Sequence, residues 1–160
     1  MCIDYRALNK ISVKNRYPLP QIDELINNMK GDRLFMKIDL KLGYNQIPND
    51  STDVWKIDFR TKEGLFECFF MPFGLTNAPA TLMRYMDYLL RPFFGKCVIV
   101  YLDDIFIFSR SWEEHVRQLL QVFNTLQQHR LYMNMENLSF AMTNIKYLGY
   151  LIPPDSNRLH

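Results

Sequence analysis

Apolar positions along this chain fall into short runs of strand length and longer stretches of helical spacing. Phe35-Met36-Lys37-Ile38-Asp39-Leu40 is one run with strand composition. Cys97 to Leu102 and Ile105 to Phe108 are two more, separated only by Asp103-Asp104. They predict a hairpin whose tight turn carries both aspartates. Val54 to Phe59 and Leu65 to Phe70 flank residues 60–64, which end in glycine, and predict a second hairpin. Ser139-Phe140-Ala141 and Ile145 to Leu151 predict closing strands. Three stretches carry a helical period instead. From Pro20 to about Lys30, Ile22, Leu25, Ile26 and Met29 share a face, with proline suited to the first turn and Gly31 to the end. After a loop from Met71 to Pro79, a core stripe of Leu82, Met83, Met86, Leu89 and Leu90 runs until Pro92 and Gly95. Ser111-Trp112-Glu113-Glu114 is a capping box. It opens a helix to about His129, with Val116, Leu119, Leu120, Phe123 and Leu126 inward. Residues 1–20 show little periodicity, and Asn15 to Pro20 reads as extended, since residues before proline avoid the helical region. The order of elements predicts an α+β fold with helices on one face of an antiparallel sheet. The solvent-facing side would carry Asp39, Asp103 and Asp104.

Chemistry enters at the ends of the strand runs. Asp103 and Asp104 lie between two apolar runs, and Asp39, far upstream, ends another. Side chains alternate along a strand, so adjacent aspartates differ in aim unless a turn gathers them. Carboxylates held close beside so much apolar mass are costly. A divalent cation relieves that cost, because hard cations such as magnesium prefer carboxylate oxygen. Asp-Asp is equally an ordinary turn dipeptide. The third aspartate, placed to lie on a neighbouring strand, makes the pair a candidate metal site.

Composition narrows the classes. With 160 residues, 48% of them hydrophobic, the chain suits one domain, or one and part of another, with a real core. A net charge of +2 makes the chain as a whole no strong polyanion binder, so nucleic-acid contact needs a local basic patch. Cys2, Cys68 and Cys97 lack metal spacing, and their odd, scattered count fits a reducing, intracellular compartment. Cys68 and Cys97 read as core residues. The scattered His115, His129 and His160 support neither a zinc site nor a Cys/His nucleophile pair. There is no glycine-rich phosphate loop and no apolar run of membrane-spanning length. Asp4, Arg6 and Lys10 interrupt any signal peptide.

Seven motifs run through nearly the whole chain: Asp4-Tyr5-Arg6-Ala7-Leu8-Asn9-Lys10, Asn15-Arg16-Tyr17-Pro18-Leu19-Pro20, Lys37-Ile38-Asp39-Leu40, Gly43-Tyr44, Met71-Pro72-Phe73-Gly74-Leu75-Thr76-Asn77-Ala78-Pro79-Ala80, Tyr101-Leu102-Asp103-Asp104 and Tyr147-Leu148-Gly149-Tyr150. In this order they resemble the reverse transcriptases of LTR retroelements, most closely the gypsy-type retrotransposon polyproteins. The resemblance implies an RNA-directed DNA polymerase with a right-hand palm and part of the fingers. Residues of about 1–13 and 47–78 would be fingers-like and about 14–46 and 79–152 palm, with no thumb and no ribonuclease H segment. It implies two magnesium ions, replaceable by manganese, held by Asp39 and Asp103, with Asp104 beside them and the Leu40 carbonyl assisting. Two such ions, about 3.5–4 Å apart, act on attacking and leaving oxygens together. Leu42, Gly43, Tyr44, Phe73 and Gly74 would form the nucleotide pocket, Tyr44 as the ring beneath the sugar that excludes a ribose 2′-hydroxyl. Arg6, Asn9, Lys10 and Tyr101 would lie near template and primer, where phosphate contacts position without reading sequence. Plain core is the competing reading for Tyr44 and Phe73, and a solvated basic segment for Arg6, Asn9 and Lys10. The implied partners are an RNA or DNA template with primer, deoxynucleoside triphosphates and flanking polyprotein domains, with no membrane.

The chain departs from the family pattern in three respects. An earlier fingers strand pair, whose lysine and arginine grip the triphosphate, has no match before Met1-Cys2-Ile3-Asp4. The family's usual lysine, a candidate proton donor to pyrophosphate, is matched by Asn137, and an amide cannot act as a general acid near neutral pH. Asp58 replaces a small apolar residue, and Pro48-Asn49-Asp50 replaces a more basic stretch with a proline that removes a ladder donor. Without phosphate grip and duplex clamp, inefficient polymerisation by this chain alone is expected. Two readings follow: a polymerase core within a longer polyprotein, or a non-catalytic retroelement remnant that binds nucleic acid weakly at most. Another metal-dependent nucleotidyl enzyme or nuclease shares the carboxylates but gains nothing from Tyr44 or Phe73-Gly74.

Overall fold

The apolar runs on either side of the aspartates form strands, and those strands are neighbours. The computed structural model of the chain describes residues 3–18, 21, 27–142, 145–147 and 150–152. Its elements are α1 (Arg6–Ile11), β1 (Leu34–Asp39), β2 (Phe59–Thr61), β3 (Gly64–Phe66), α2 (Ala78–Leu90), β4 (Val98–Tyr101), β5 (Asp104–Ser109), α3 (Trp112–Gln128), β6 (Ser139–Met142), β7 (Ile145–Tyr147) and β8 (Tyr150–Ile152). The fold is α+β, as the sequence predicts. The chain divides into two compact units, Met1–Tyr17 with Leu42–Arg84, and Pro18–Lys41 with Tyr85–His160.

The second unit contains a four-stranded antiparallel sheet in the order β4-β5-β1-β6. β1 and β5 pair from Leu34↔Ser109 through Asp39↔Asp104. β4 and β5 are joined by Leu102-Asp103, with Tyr101 and Asp104 as cross-strand partners. A two-residue hairpin turn asks for positive φ at its first central position, and Leu102 supplies it at φ 54, an uncommon conformation for a residue other than glycine. The turn therefore holds only one aspartate. Asp104 is the first residue of β5, a correction to the expected two-aspartate turn.

Aromatic and β-branched side chains bury both faces of these strands. Phe35, Met36, Ile38, Ile105, Phe106, Ile107 and Phe108 are all buried. The expected solvent-facing side is thus confined to the strand ends. Alternation puts Phe35, Lys37 and Asp39 on one side of β1, and only Lys37 and Asp39 of these remain half-exposed.

The α2 stripe is buried as expected, at Leu82, Met83, Met86, Leu89 and Leu90. The inward face of α3 is different from the expected one. His115, Gln118, Leu119, Val122 and Leu126 are buried, whereas Val116 and Leu120 are 39% and 58% exposed. The reason is Ser109 at the end of β5. Its hydroxyl donates to Gln118 Oε1 and lies 2.7 Å from His115 Nδ1. With its one proton spent on Gln118, it accepts from Nδ1–H. The helix is thereby turned away from its most apolar stripe by a buried polar contact that engages His115 Nδ1 and Gln118 but leaves His115 Nε2 without a hydrogen-bond partner among the described residues. The cap itself forms: Ser111 Oγ accepts from the Glu114 N–H at 3.3 Å.

Burial pushes His115 below its ordinary value of 6.5. The unfolded chain then takes up the proton first as the pH falls, so stability declines from about pH 6.5 downward, through the folded-state value. Thermal melting between about pH 7 and 5.5 is expected to show this decline, with a shallower slope in His115→Gln.

The single strand expected over 145–151 is instead two, β7 and β8, paired antiparallel from Ile145↔Ile152 to Tyr147↔Tyr150. Most of the helix expected from Pro20, and Leu148-Gly149 of the Tyr147–Tyr150 motif, lie outside the described residues.

In the first unit, α1 is a helix where no periodicity predicted one. It buries none of its own residues, which is why no apolar stripe announces it. Its ends hold it: buried Tyr5 donates its hydroxyl to the Ile57 carbonyl at 3.4 Å, and Asn9 clasps a loop described below. β2 and β3 form the second hairpin, with Phe59 and Phe66 stacked at 5.7 Å. Its strands lack the expected outer ends, while its turn is only residues 62–63, with Gly64 in β3 rather than in the expected turn. Val54–Ile57 is a 3-10 turn, not a strand. Its buried residues, Val54 and Ile57, are three apart, matching that turn's period. The Lys56 N–H donates to Asp53 O at 3.0 Å and Trp55 Nε1 to Thr52 O at 2.8 Å. Cys68 is half-buried rather than core, and Cys97 is buried, its thiol pushed up to about 11 by that burial.

Candidate functional site

The β1–β5 register gathers the acidic residues. Asp39 and Asp104 are direct cross-strand partners, which sets their Cβ atoms about 4.5–5.5 Å apart on one side of the sheet. Asp103 precedes Asp104 in the turn, and the Leu40 N–H points to the Asp103 carbonyl at 3.5 Å. Tyr101, opposite Asp104, closes β4. Asp39, Leu40, Tyr101, Asp103 and Asp104 therefore share one end of one sheet. All but Leu40 are half-exposed, and Asp103 Oδ1 is withdrawn from solvent.

Two of these carboxylates have different partners. Lys37 Nζ meets Asp104 Oδ2 at 2.8 Å. Asn137 Nδ2 donates to Asp39 Oδ2 at 2.8 Å. Neither contact was expected from the sequence. Lys37 could have been found by period alone, since it stands two residues before Asp39 and on the same side of β1. Asn137 was singled out only by the resemblance, as the match to the family's lysine; its bond to Asp39 carried no local signal, because the segment that returns it to β1 has no strand pattern.

The other candidate residues belong to the first unit. Leu42, at φ 53, leads into a 3-10 turn over Gly43–Gln46, with Gly43 buried. Tyr44 and Phe73 meet edge to face with centroids 5.1 Å apart. Phe73 is 49% exposed, so its reading as plain core does not hold. Gly74 takes φ +95 and leaves its carbonyl to Asn9. Asn9 Nδ2 donates to that carbonyl at 2.7 Å, and Asn9 Oδ1 accepts from the Thr76 N–H at 2.8 Å. The amide of Asn9 is thus committed to shaping the Phe73-Gly74 loop. Arg6 is exposed and forks onto Asp4 Oδ1 and Oδ2. Lys10 is exposed on α1.

The donor set at the sheet end fits magnesium by chemistry. It offers carboxylate and carbonyl oxygen only, and magnesium sites typically use one or two carboxylates together with substrate phosphates. Among the described residues no three His, Cys, Asp or Glu side chains converge into a ready-made cage. That agrees with Asp104 being turned to Lys37. Among the described residues, no helix is long and apolar enough to cross a membrane.

Residues 1–152 match the family described as reverse transcriptase (RNA-dependent DNA polymerase). The retrovirus-related Pol polyprotein from transposon 297 of Drosophila melanogaster is 42% identical over 153 residues, 96% of this chain and 14% of that polyprotein. The transposon Tf2-3 polyprotein of Schizosaccharomyces pombe is 36% identical over 152 residues, 95% of this chain and 11% of its own length. The chain thus spans only a small part of the curated relatives it matches. Its fold is similar to that of the foamy viral protease-reverse transcriptase solved in complex with RNA/DNA hybrid. The TM-score is 0.82 at 24% identity, covering 94% of this chain and 20% of that one.

Proposed function

Because the chain belongs to the reverse transcriptase family carried by retrotransposon polyproteins, we propose that it is the core of an RNA-directed DNA polymerase. It extends a primer along an RNA or DNA template with deoxynucleoside triphosphates, within a longer polyprotein. The supporting observation is the strand register that sets Asp39 opposite Asp104, next to the Asp103 turn. In this reading the unit with that sheet is the palm. In the other unit α1 and the β2–β3 hairpin are part of the fingers, and the Tyr44 turn belongs to the palm.

Asp39, Asp103 and the Leu40 carbonyl would hold a pair of magnesium or manganese ions. Such a pair, when bound, supplies Lewis-acid activation of a primer 3′-hydroxyl and charge neutralisation at the departing pyrophosphate. Asp104 stays paired with Lys37 and keeps the turn aligned. Leu42 and Gly43 set the turn that presents Tyr44, and Phe73 braces the Tyr44 ring edge to face. Tyr44 lies beneath the sugar and excludes a 2′-hydroxyl. Asn9 shapes the Gly74 loop, while Arg6, Lys10 and Tyr101 contact template and primer. Asn137 supplies no proton, so the pyrophosphate takes its proton from solvent.

Primer extension on an RNA template, with the chain in its native reading frame and magnesium or manganese present, tests the proposal. Template-directed incorporation is expected. Its absence, together with no melting shift from magnesium plus a triphosphate, would favour a non-catalytic remnant. Tyr44→Val is expected to raise ribonucleotide incorporation relative to deoxyribonucleotide by roughly 10- to 200-fold, the range that steric selection of small groups provides. The ratio of the two kcat/KM values measures it.

A further inference from the structure

We infer that Asn137 is a positioning residue for Asp39, and that its amide fixes one carboxylate oxygen while leaving the carboxylate's charge available to a divalent cation. The inference rests on the metal-holding role proposed above. Asn137 Nδ2 donates to Asp39 Oδ2 at 2.8 Å from 98 positions away in the chain.

That bond ends a longer seam. The Lys41 N–H donates to Tyr132 O at 3.0 Å, Leu40 bridges Met133, and the Asn134 N–H donates to Asp39 O at 2.8 Å. A short 3-10 turn, Met135–Asn137, follows, capped by Asn134, whose Oδ1 accepts from the Glu136 N–H at 3.2 Å. One capped turn therefore grips Asp39 twice, at its backbone carbonyl and at its carboxylate.

The two aspartates that face each other across the strands are thereby made unequal. Asp104 is matched by a full positive charge at Lys37. Asp39 is matched by a neutral donor. An amide restricts the rotamer of a ligand without competing electrostatically for the cation, as an ammonium would. Partners of this kind orient metal ligands, and their loss typically weakens metal binding about tenfold or more.

The test uses manganese alone as the probe, with free Mn²⁺ read by electron paramagnetic resonance, on the wild-type chain, Asp39→Asn, Asn137→Leu and Asn137→Gln. Asn137→Leu is expected to weaken Mn²⁺ binding about tenfold. The metal-free melting temperature should stay within about 2 °C, because surface substitutions seldom alter stability and Asn137 is exposed. Asn137→Gln, which keeps a donor, is expected to recover most of the affinity. Wild-type affinity in Asn137→Leu would overturn the inference. So would a joint fall of affinity and melting temperature that glutamine does not rescue. If the wild type binds Mn²⁺ no better than Asp39→Asn, the metal site itself fails. If the wild type binds better and Asn137→Leu matches it, only the role of Asn137 fails.

Discussion

Asp103→Asn is expected to cut the primer extension proposed above roughly a thousandfold while leaving the fold intact. The substitution is nearly isosteric and removes only the charge. Asn is tolerated in turns as well as Asp, so the Leu102-Asp103 turn keeps its backbone. What is lost is one of the two carboxylates proposed above to hold a cation at the sheet end. A bound metal contributes several kcal/mol to stabilising transition-state charge, and each 1.36 kcal/mol is a factor of ten in rate. A fall of roughly a thousandfold in incorporation rate follows. It is measured under single-nucleotide addition, with circular dichroism confirming the fold. An unchanged rate would remove this end of the sheet from the chemistry altogether.

The largest stability effect is expected from Phe35→Ala. Phe35 is 1% exposed and faces Phe108 across the central strand pair, itself 2% exposed. Truncating a buried aromatic typically costs about 3–5 kcal/mol, through lost transfer energy and the cavity left behind. That is a large share of the roughly 5–15 kcal/mol by which domains are stable. A melting temperature lowered by about 10 °C is expected for a chain of this size, with a matching drop in the urea midpoint. A cost below about 1 kcal/mol would mean that the strand pair carrying Asp39 is not the centre of the core. Because Phe35 and Asp39 share β1, this variant should also lose activity at temperatures where the wild type keeps it.

Much of this was legible in the sequence wherever a single local rule decided the outcome. The apolar runs at 34–39 and 98–109 became strands because β-branched and aromatic residues dominate them. The Ser111 cap and the α2 stripe followed from spacing alone. Failures occurred where a distant partner overrode the local pattern. α3 turned its His115 and Gln118 inward, where Ser109 on another element bonds His115 Nδ1 and Gln118 Oε1. Val54–Ile57 alternates well enough for a strand, but the carbonyls of Thr52 and Asp53 were nearer partners. At the candidate site, the aspartates could be read from their positions at strand ends. The neighbours that distinguish them, Lys37 and Asn137, depend on register and on a returning segment, and neither is written in a local motif.

The Asp39↔Asp104 match has an evolutionary corollary. Alternation has a period of two, so deleting or inserting one residue within 34–39 or 104–109 would turn an acidic side chain toward the greasy interior and bring an isoleucine out in its place. Connecting segments that hold none of the candidate site residues are free to lengthen or shorten, since they do not set that pairing. Length variation among related elements should accordingly accumulate there, and be excluded from the two strands and from the Leu102-Asp103 turn.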